Sequence, residues 1–171
     1  MLELLLFRHA KSSWDVPGIQ DHDRDLAPRG EQAASRMGRL LAAEGLIPER
    51  VLCSTATRAV RTWELAGAGL EPAPEVIHRR ELHMAAPGQL LEAMRRLGGT
   101  AHRLMLIGHN PGLQALAIGL VGEGDAKLRQ HLAEKFPTAA LARIGFAAAR
   151  WDEVAKRRGR LLGFWRPRDL D

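Results

Sequence analysis

The stretch LLLFRHAKSSW, residues 4–14, carries four apolar side chains straight into an arginine and a histidine, with no turn-forming residue between them. An unbroken apolar run of this length suits a β-strand covered on both faces, because successive side chains point to opposite sides. Arg8 and His9, in contrast, cost free energy to bury without partners. A buried strand that ends on them therefore ends where something pairs with them.

Working outward, residues 50–53, 75–78 and 104–107 repeat the pattern of a short apolar or β-branched run. Helical periodicity fills the intervals. Residues 28–44 place Ala33, Met37, Leu40 and Leu41 on one face, with Pro28 suited to the first turn and Gly45 to the stop. Residues 55–68 do the same through Ala59, Trp63 and Ala66, residues 89–97 through Leu90, Leu91, Met94 and Leu97, and residues 112–121 through Leu113, Leu116, Ala117 and Leu120. Strand followed by helix, four times over, predicts one α/β domain across residues 1–171, a three-layer α/β/α arrangement with a largely parallel central sheet. A further helix is expected at 125–134 and strands at 140–146 and 160–165, with Pro167 ending the pattern. The polar segment 12–27, which contains DHDRD, is the one long connection, and long loops in compact domains are often functional.

Composition narrows the function. The single cysteine, Cys53, allows no intramolecular disulfide and no structural zinc cluster. The apolar runs are far shorter than a bilayer span and no signal-type leader is recognisable, so the expectation is a soluble cytoplasmic protein with no membrane partner. The net charge of +5 would suit a nucleic-acid binder, but only 5% of residues are aromatic, none is tyrosine, and the densest basic stretch, KRRGR at 156–160, sits beside an expected hairpin turn. Nucleic acid is not an expected partner.

In open parallel sheets ligands bind beyond the carboxyl ends of the strands. Each of the four strand exits delivers polar chemistry there: Arg8 and His9 after the first, STATRAVRT with Arg58 after the second, Arg79, Arg80 and Glu81 after the third, GHNPGL with His109 and Asn110 after the fourth. Two histidines, guanidinium groups and helix N-terminal amides on one rim suit a tetrahedral dianion, because guanidinium grips phosphate oxygens bidentately and helix N-termini add oriented donors. That points to phosphoryl chemistry.

The pattern LFRHAKSSW, then STATRAVRT, then Glu81-Leu82-His83, then IGHNPGL resembles the histidine phosphatase superfamily, with its phosphoglycerate-mutase-like fold. The short chain and the RHAKSSW form look most like SixA-type phosphohistidine phosphatases. The resemblance implies that His9 is the nucleophile, that Arg8, Arg58, His109 and Asn110 bind phosphate, and that Glu81 is the proton donor. No carboxylate-histidine set has ligand spacing and the arginines already supply positive charge, so no metal or cofactor is expected. Glu64, Glu71, Glu75 and the acidic residues at 21–25 are the other carboxylates open to the acid role. One departure is Ala10, where the superfamily usually has glycine after Arg-His.

The expected activity is phosphohydrolysis through a phosphohistidine on His9. The expected partner is a phosphorylated protein, a small phosphomonoester or sugar phosphate being the alternative, and a non-catalytic phosphate-recognition module the second alternative. The spacing of Cys53 and Arg58 is one residue short of the cradle in cysteine-dependent phosphatases, so Cys53 is read as a small buried hydrophobe. His22 and His83 are read as structural or solvated, and Thr62 and Arg61 as either supporting partners of the site or an exposed helical turn.

Overall fold

In the computed structural model, which describes residues 1–170, β1 (Leu2–Arg8) is the middle strand of seven. The others are β2 (Arg50–Ser54), β3 (Glu75–Arg79), β4 (Arg103–Gly108), β5 (Val121–Gly124), β6 (Leu141–Phe146) and β7 (Gly159–Trp165), and the sheet order is β3-β2-β4-β1-β6-β7-β5. β1 runs parallel to β4 and antiparallel to β6; β6 is also antiparallel to β7, which leaves β6 the one reversed strand in an otherwise parallel sheet.

The helices are α1 (Pro28–Ala43), α2 (Thr57–Ala66), α3 (Pro87–Leu97), α4 (Gly112–Leu120) and α5 (Ala126–Glu134). Alternation along the central strands assigns them to two layers. Leu4 and Leu6 of β1, with Leu104 and Leu106 of β4, pack in the cluster that contains Leu90 and Met94 of α3, Leu113 of α4 and Leu132 of α5. Leu5 and Phe7, with Met105 and Ile107, pack in the cluster that contains Met37 and Leu41 of α1 and Trp63 of α2. This two-sided burial is why the strands read as continuous apolar runs. Fully burying each such side chain contributes about 1.5–3 kcal/mol, so the paired runs of β1 and β4 contribute heavily to the stability of the fold.

The four expected strand–helix units are present, with ends shifted by one or two residues. β5 was not anticipated: its sequence, VGEG, is short and half glycine, which carries no strand signal of its own. Its place comes from parallel pairing with β7. Among the described residues no helix is long and apolar enough to cross a membrane.

The long connection 12–27 is ordered by its own contacts. Ser12 bridges Leu26, Ser13 N–H donates to the Asp25 carbonyl at 2.8 Å, and residues Asp21–Asp23 form a 3-10 turn. Ala27 N–H closes the loop onto the Lys11 carbonyl at 2.9 Å. A side chain at position 30 would collide with that same carbonyl, so Gly30 is what lets α1 dock against the exit of β1.

Candidate active site

β1 presents Arg8 and His9 at its carboxyl end because the backbone there is held on both sides. His9 N–H donates to the Gly108 carbonyl at 3.2 Å, and Ala139 N–H is shared between the Arg8 and His9 carbonyls at 3.1 and 3.0 Å. His9 is 6% exposed. Its Nδ1 lies 2.7 Å from the Ala10 carbonyl oxygen, an acceptor only, so Nδ1 carries the proton and Nε2 the lone pair. Burial pushes the His9 pKa down to about 4; Arg58, Arg8 and Arg24 act in the same direction, against the opposing Ala10 hydrogen bond. At neutral pH the ring is therefore an uncharged imidazole with a defined nucleophilic nitrogen.

His109, at the exit of β4, stands with its ring centroid 5.0 Å from that of His9. Its Nε2 is 2.8 Å from Ser54 Oγ, which also accepts from Ala56 N–H at 3.2 Å. A Ser54 hydroxyl that donates to Nε2 leaves the ring's proton on Nδ1, and one that accepts leaves Nδ1 with the lone pair. Burial holds His109 down to about 2, helped by His9, Arg58 and His83.

Two guanidinium groups enter from different elements. Arg8 donates through Nη1 to the Phe136 carbonyl at 3.0 Å, and Arg58, on the first turn of α2, donates to the Asp21 carbonyl at 2.7 Å and to Asp21 Oδ2 at 3.0 Å. Three buried side-chain atoms have no hydrogen-bond partner among the described residues: Arg8 Nε, Arg58 Nε and His109 Nδ1. All three belong to residues lining one cavity of about 310 Å³, together with His9, Asn110, Lys11, Asp21 and Arg24. Buried polar atoms without partners are costly, and two guanidinium groups beside one cavity suit an anion with several oxygens.

The surroundings fix this set. Thr62, fully buried, accepts from Ala10 N–H at 2.9 Å and donates to the Arg58 carbonyl at 2.6 Å, tying the β1 exit to α2. Arg61 instead sits in an exposed network with Glu64, Glu31 and Asp25. The Ala10 side chain packs in the core cluster of α1 and α2. Asn110 lines the cavity with its amide engaged at both ends, donating to the Phe136 carbonyl at 2.9 Å and accepting from Gln114 N–H at 3.2 Å. One amide hydrogen is left over.

Asp21 is the feature the motifs did not reveal. Its carboxylate binds Arg58, lies 3.1 Å from both Nε and Nη2 of Arg24, and is 3.3 Å from His83 Nε2. Burial alone would raise its pKa, but the Arg58 and Arg24 contacts outweigh this and hold it near 2. Arg24 in turn donates to Ser12 Oγ at 2.6 Å and lies 3.5 Å over the Trp14 ring. His83 and His22, expected to be structural, join the site's outer wall: His83 stands edge-on to His109, and His22 edge-on to His83. The sequence signals for this wall were the length and polarity of the 12–27 loop, its acidic residues at 21–25 and the place of His83 beside Glu81 in the quoted motif. Ser54 and Thr62 were present in STATRAVRT, but nothing local distinguished their buried hydroxyls from exposed ones.

Glu81 is the expected site residue that the structure does not bring to the cavity. It lies on the 3-10 turn Arg80–Leu82, which sends Leu82 into the core and Glu81 outward, where its carboxylate pairs with Arg96 at 2.6 Å. Glu64 and Glu75 are likewise paired, with Arg61 and Arg50, and line no part of it. Cys53 is fully buried, and burial, with a smaller push from Glu64, raises its pKa to about 12, so its thiol is inert at neutral pH. Among the described residues no group of three or more His, Cys, Asp or Glu side chains is placed to hold a metal ion.

Comparison with known proteins matches residues 4–93 to the model of the histidine phosphatase superfamily, branch 1. An uncharacterised protein of Mycobacterium tuberculosis is 41% identical over 163 residues, which cover 94% of this chain and 99% of that protein. Among solved structures, a protein from Agrobacterium tumefaciens provisionally named phosphohistidine phosphatase SixA is 28% identical, with a TM-score of 0.82 and coverage of 97% of this chain and 98% of that one. A second provisionally named SixA, from Nakamurella multipartitia, is 25% identical, with a TM-score of 0.84 and coverage of 97% and 96%.

Proposed function

The chain belongs to the histidine phosphatase superfamily, and from that premise we propose that it is a phosphatase of protein phosphohistidine, working through a phosphohistidine of its own on His9. Arg8, Arg58, the His109 Nδ1–H and the spare Asn110 hydrogen hold the phosphoryl oxygens. His9 Nε2 attacks phosphorus in line as the bond to the leaving imidazole breaks. The substrate imidazole, already protonated on its other ring nitrogen, departs neutral with the electron pair of the broken bond. Water then attacks the phosphoryl group on Nε2; its oxygen leaves in inorganic phosphate, its excess proton goes to phosphate or solvent, and the His9 lone pair is restored. Fixed cationic donors supply the electrostatic stabilisation that dominates phosphoryl transfer.

The observation that carries the substrate class is the state of Asp21. It is the only carboxylate among the residues that line the cavity, and Arg58 and Arg24 keep it ionised. An ionised carboxylate donates no proton. Alkoxide leaving groups need one in the transition state, whereas an imidazole protonated on its far nitrogen does not. The SixA likeness of the solved structures supports the same reading.

The test is a panel of phosphohistidine protein, sugar phosphates and aryl phosphates, offered to the purified protein without added metal. The expected order of kcat/KM is phosphohistidine first, aryl phosphate second, sugar phosphate last. A sugar phosphate hydrolysed faster than phosphohistidine overturns the proposal.

A further inference from the structure

Beside the phosphate cavity lies a second one of about 340 Å³, and Lys11 and Thr138 line both. Its wall includes five cations, Lys11, Arg29, Arg36, Arg166 and Arg168, and no carboxylate. Arg29 and Arg36, seven positions apart, lie on one face of α1, about 10 Å apart along its axis. Arg166 and Arg168 come from the turn after β7, and Lys11 comes from the exit of β1.

Part of this charge is already answered. Arg166 is held by Asp169 at 2.8 and 3.0 Å, Asp169 and Glu134 being the acidic groups that act on it, and Arg36 donates to the Pro167 carbonyl at 3.4 Å. The side chains of Lys11 and Arg29 have no ion pair or hydrogen bond among the described residues, and Arg29 and Arg168 are exposed. Asp169 also lies within electrostatic reach of Arg168, so among the described residues it is Lys11 and Arg29 whose charge no carboxylate answers. Around the phosphate cavity, two large side chains are also open to contact, Trp14 at 75% and Met84 at 52% exposure. A concave basic site next to exposed apolar groups fits a folded or extended protein segment better than a lone inorganic anion.

We propose that this cavity is a docking subsite for the carboxylates of an acidic segment that flanks the phosphorylated histidine in the substrate protein. The proposal deepens the protein-phosphohistidine reading and rests on it for the identity of the partner. Phosphohistidine occupies the Arg8 and Arg58 cavity; Asp or Glu side chains of the same partner reach across Lys11 to Arg29 and Arg168. The subsite acts on KM and on encounter rate, and leaves the chemical step alone.

Binding is tested separately from turnover. A fluorescently tagged, unphosphorylated peptide rich in Asp and Glu is titrated with the native protein and with the double variant Arg29→Glu and Arg168→Glu, beside a peptide in which every Asp and Glu is replaced by Asn and Gln. The acidic peptide binds, the neutral one does not, and the double variant weakens binding about tenfold at low salt, with a smaller difference at physiological salt. The variant hydrolyses p-nitrophenyl phosphate at the native rate, and Arg29→Lys with Arg168→Lys keeps acidic-peptide binding, which shows that charge and not folding is responsible.

Equal binding by the native protein and the charge-reversed variant overturns the subsite. So does a single-stranded oligonucleotide that binds more tightly than the acidic peptide and is weakened equally by the variant, since the cavity would then be a general polyanion surface. Histidine-phosphorylated versions of both peptides separate the two readings. If they are hydrolysed with no preference for the acidic one, the subsite fails and the phosphatase assignment stands. If neither is hydrolysed while the acidic peptide binds through Arg29 and Arg168, the substrate assignment fails and the subsite stands.

Discussion

The two ends of the central sheet use the same residue types for opposite purposes. At the amino end of β1, Glu3 accepts from Arg143 at 2.6 and 3.2 Å and from Arg103 at 2.9 Å, so a carboxylate answers both guanidinium groups. At the carboxyl end, Arg8 and Arg58 each keep a buried Nε without a partner, and the one carboxylate at hand, Asp21, is placed on the outer nitrogen of Arg58. The first cluster joins β1, β4 and β6 and is complete in itself. The second leaves nitrogen atoms of both arginines unanswered. An arginine's contribution is therefore read from what its nitrogens lack as much as from what they touch.

The comparison breaks most sharply at His9. His9→Ala should lower turnover by a factor on the order of 10⁴ or more, the scale seen when a covalent nucleophile is removed. Rapid quenching of the native protein with radiolabelled substrate should show acid-labile, base-stable label on His9, and a variant that keeps most of its activity would sink the mechanism.

Next in size is Arg58. Arg58→Ala should cost about 10²–10³ in kcat/KM, as the loss of one preorganised donor to a developing anion does. Inorganic phosphate should raise the melting temperature of the native protein and raise that of the variant much less.

At the other end of the sheet the effect should move from rate to stability. Glu3→Gln leaves two partly buried guanidinium groups short of their anion and should cost about 2 kcal/mol of folding free energy at pH 7, with turnover per folded molecule unchanged. Burial alone would raise the Glu3 pKa, but hydrogen bonds from Arg143 and Arg103 outweigh it and hold the pKa below its ordinary 4.5. A carboxylate with a depressed native pKa stabilises the fold above the unfolded-state value, and this is lost as pH falls through the native one. The gap between Glu3→Gln and the native protein in denaturant melts should therefore close below pH 4.5. A gap that persists unchanged at acid pH would mean that packing, and not the ion cluster, is what the substitution disturbs.

His9 titrates with the opposite consequence for charge. Because its pKa falls to about 4, the native state resists a proton that the unfolded chain accepts near 6.5, so stability declines as pH drops from 6.5 towards 4. Ring NMR of His9 should give a midpoint near 4 in the free protein, moved upward by bound phosphate, whose negative charge favours imidazolium. A midpoint near 6.5 in the free protein would show that the ring is neither desolvated nor opposed by the arginines.

The smallest effect belongs to Glu81. Since Arg96 already holds its carboxylate outside the cavity, Glu81→Gln should change phosphohistidine hydrolysis by no more than about twofold, the range of ordinary surface substitutions. A loss of a hundredfold would return Glu81 to the site, and a loss confined to sugar phosphates would restore it as the acid.

What the sequence determined by itself was local. Two-sided burial of a strand and one-sided burial of a helix are written in neighbouring residues, so the alternation of elements, the two core faces and the placement of Arg8, His9, Arg58 and His109 at element ends could all be read along the chain. The partner of each charge was decided by the tertiary structure. Asp21 reaches Arg58 across 37 positions, and the outward turn at Glu81 is set by the burial of Leu82. The basic cavity gathers positions 11, 29, 36, 166 and 168, whereas the densest basic run, at 156–160, contributes nothing to it. Net charge is a sum without an address. Ion pairs act through space over a few ångströms, and only the packing of α1 and the C-terminal turn against the exit of β1 decides which charges fall within that distance.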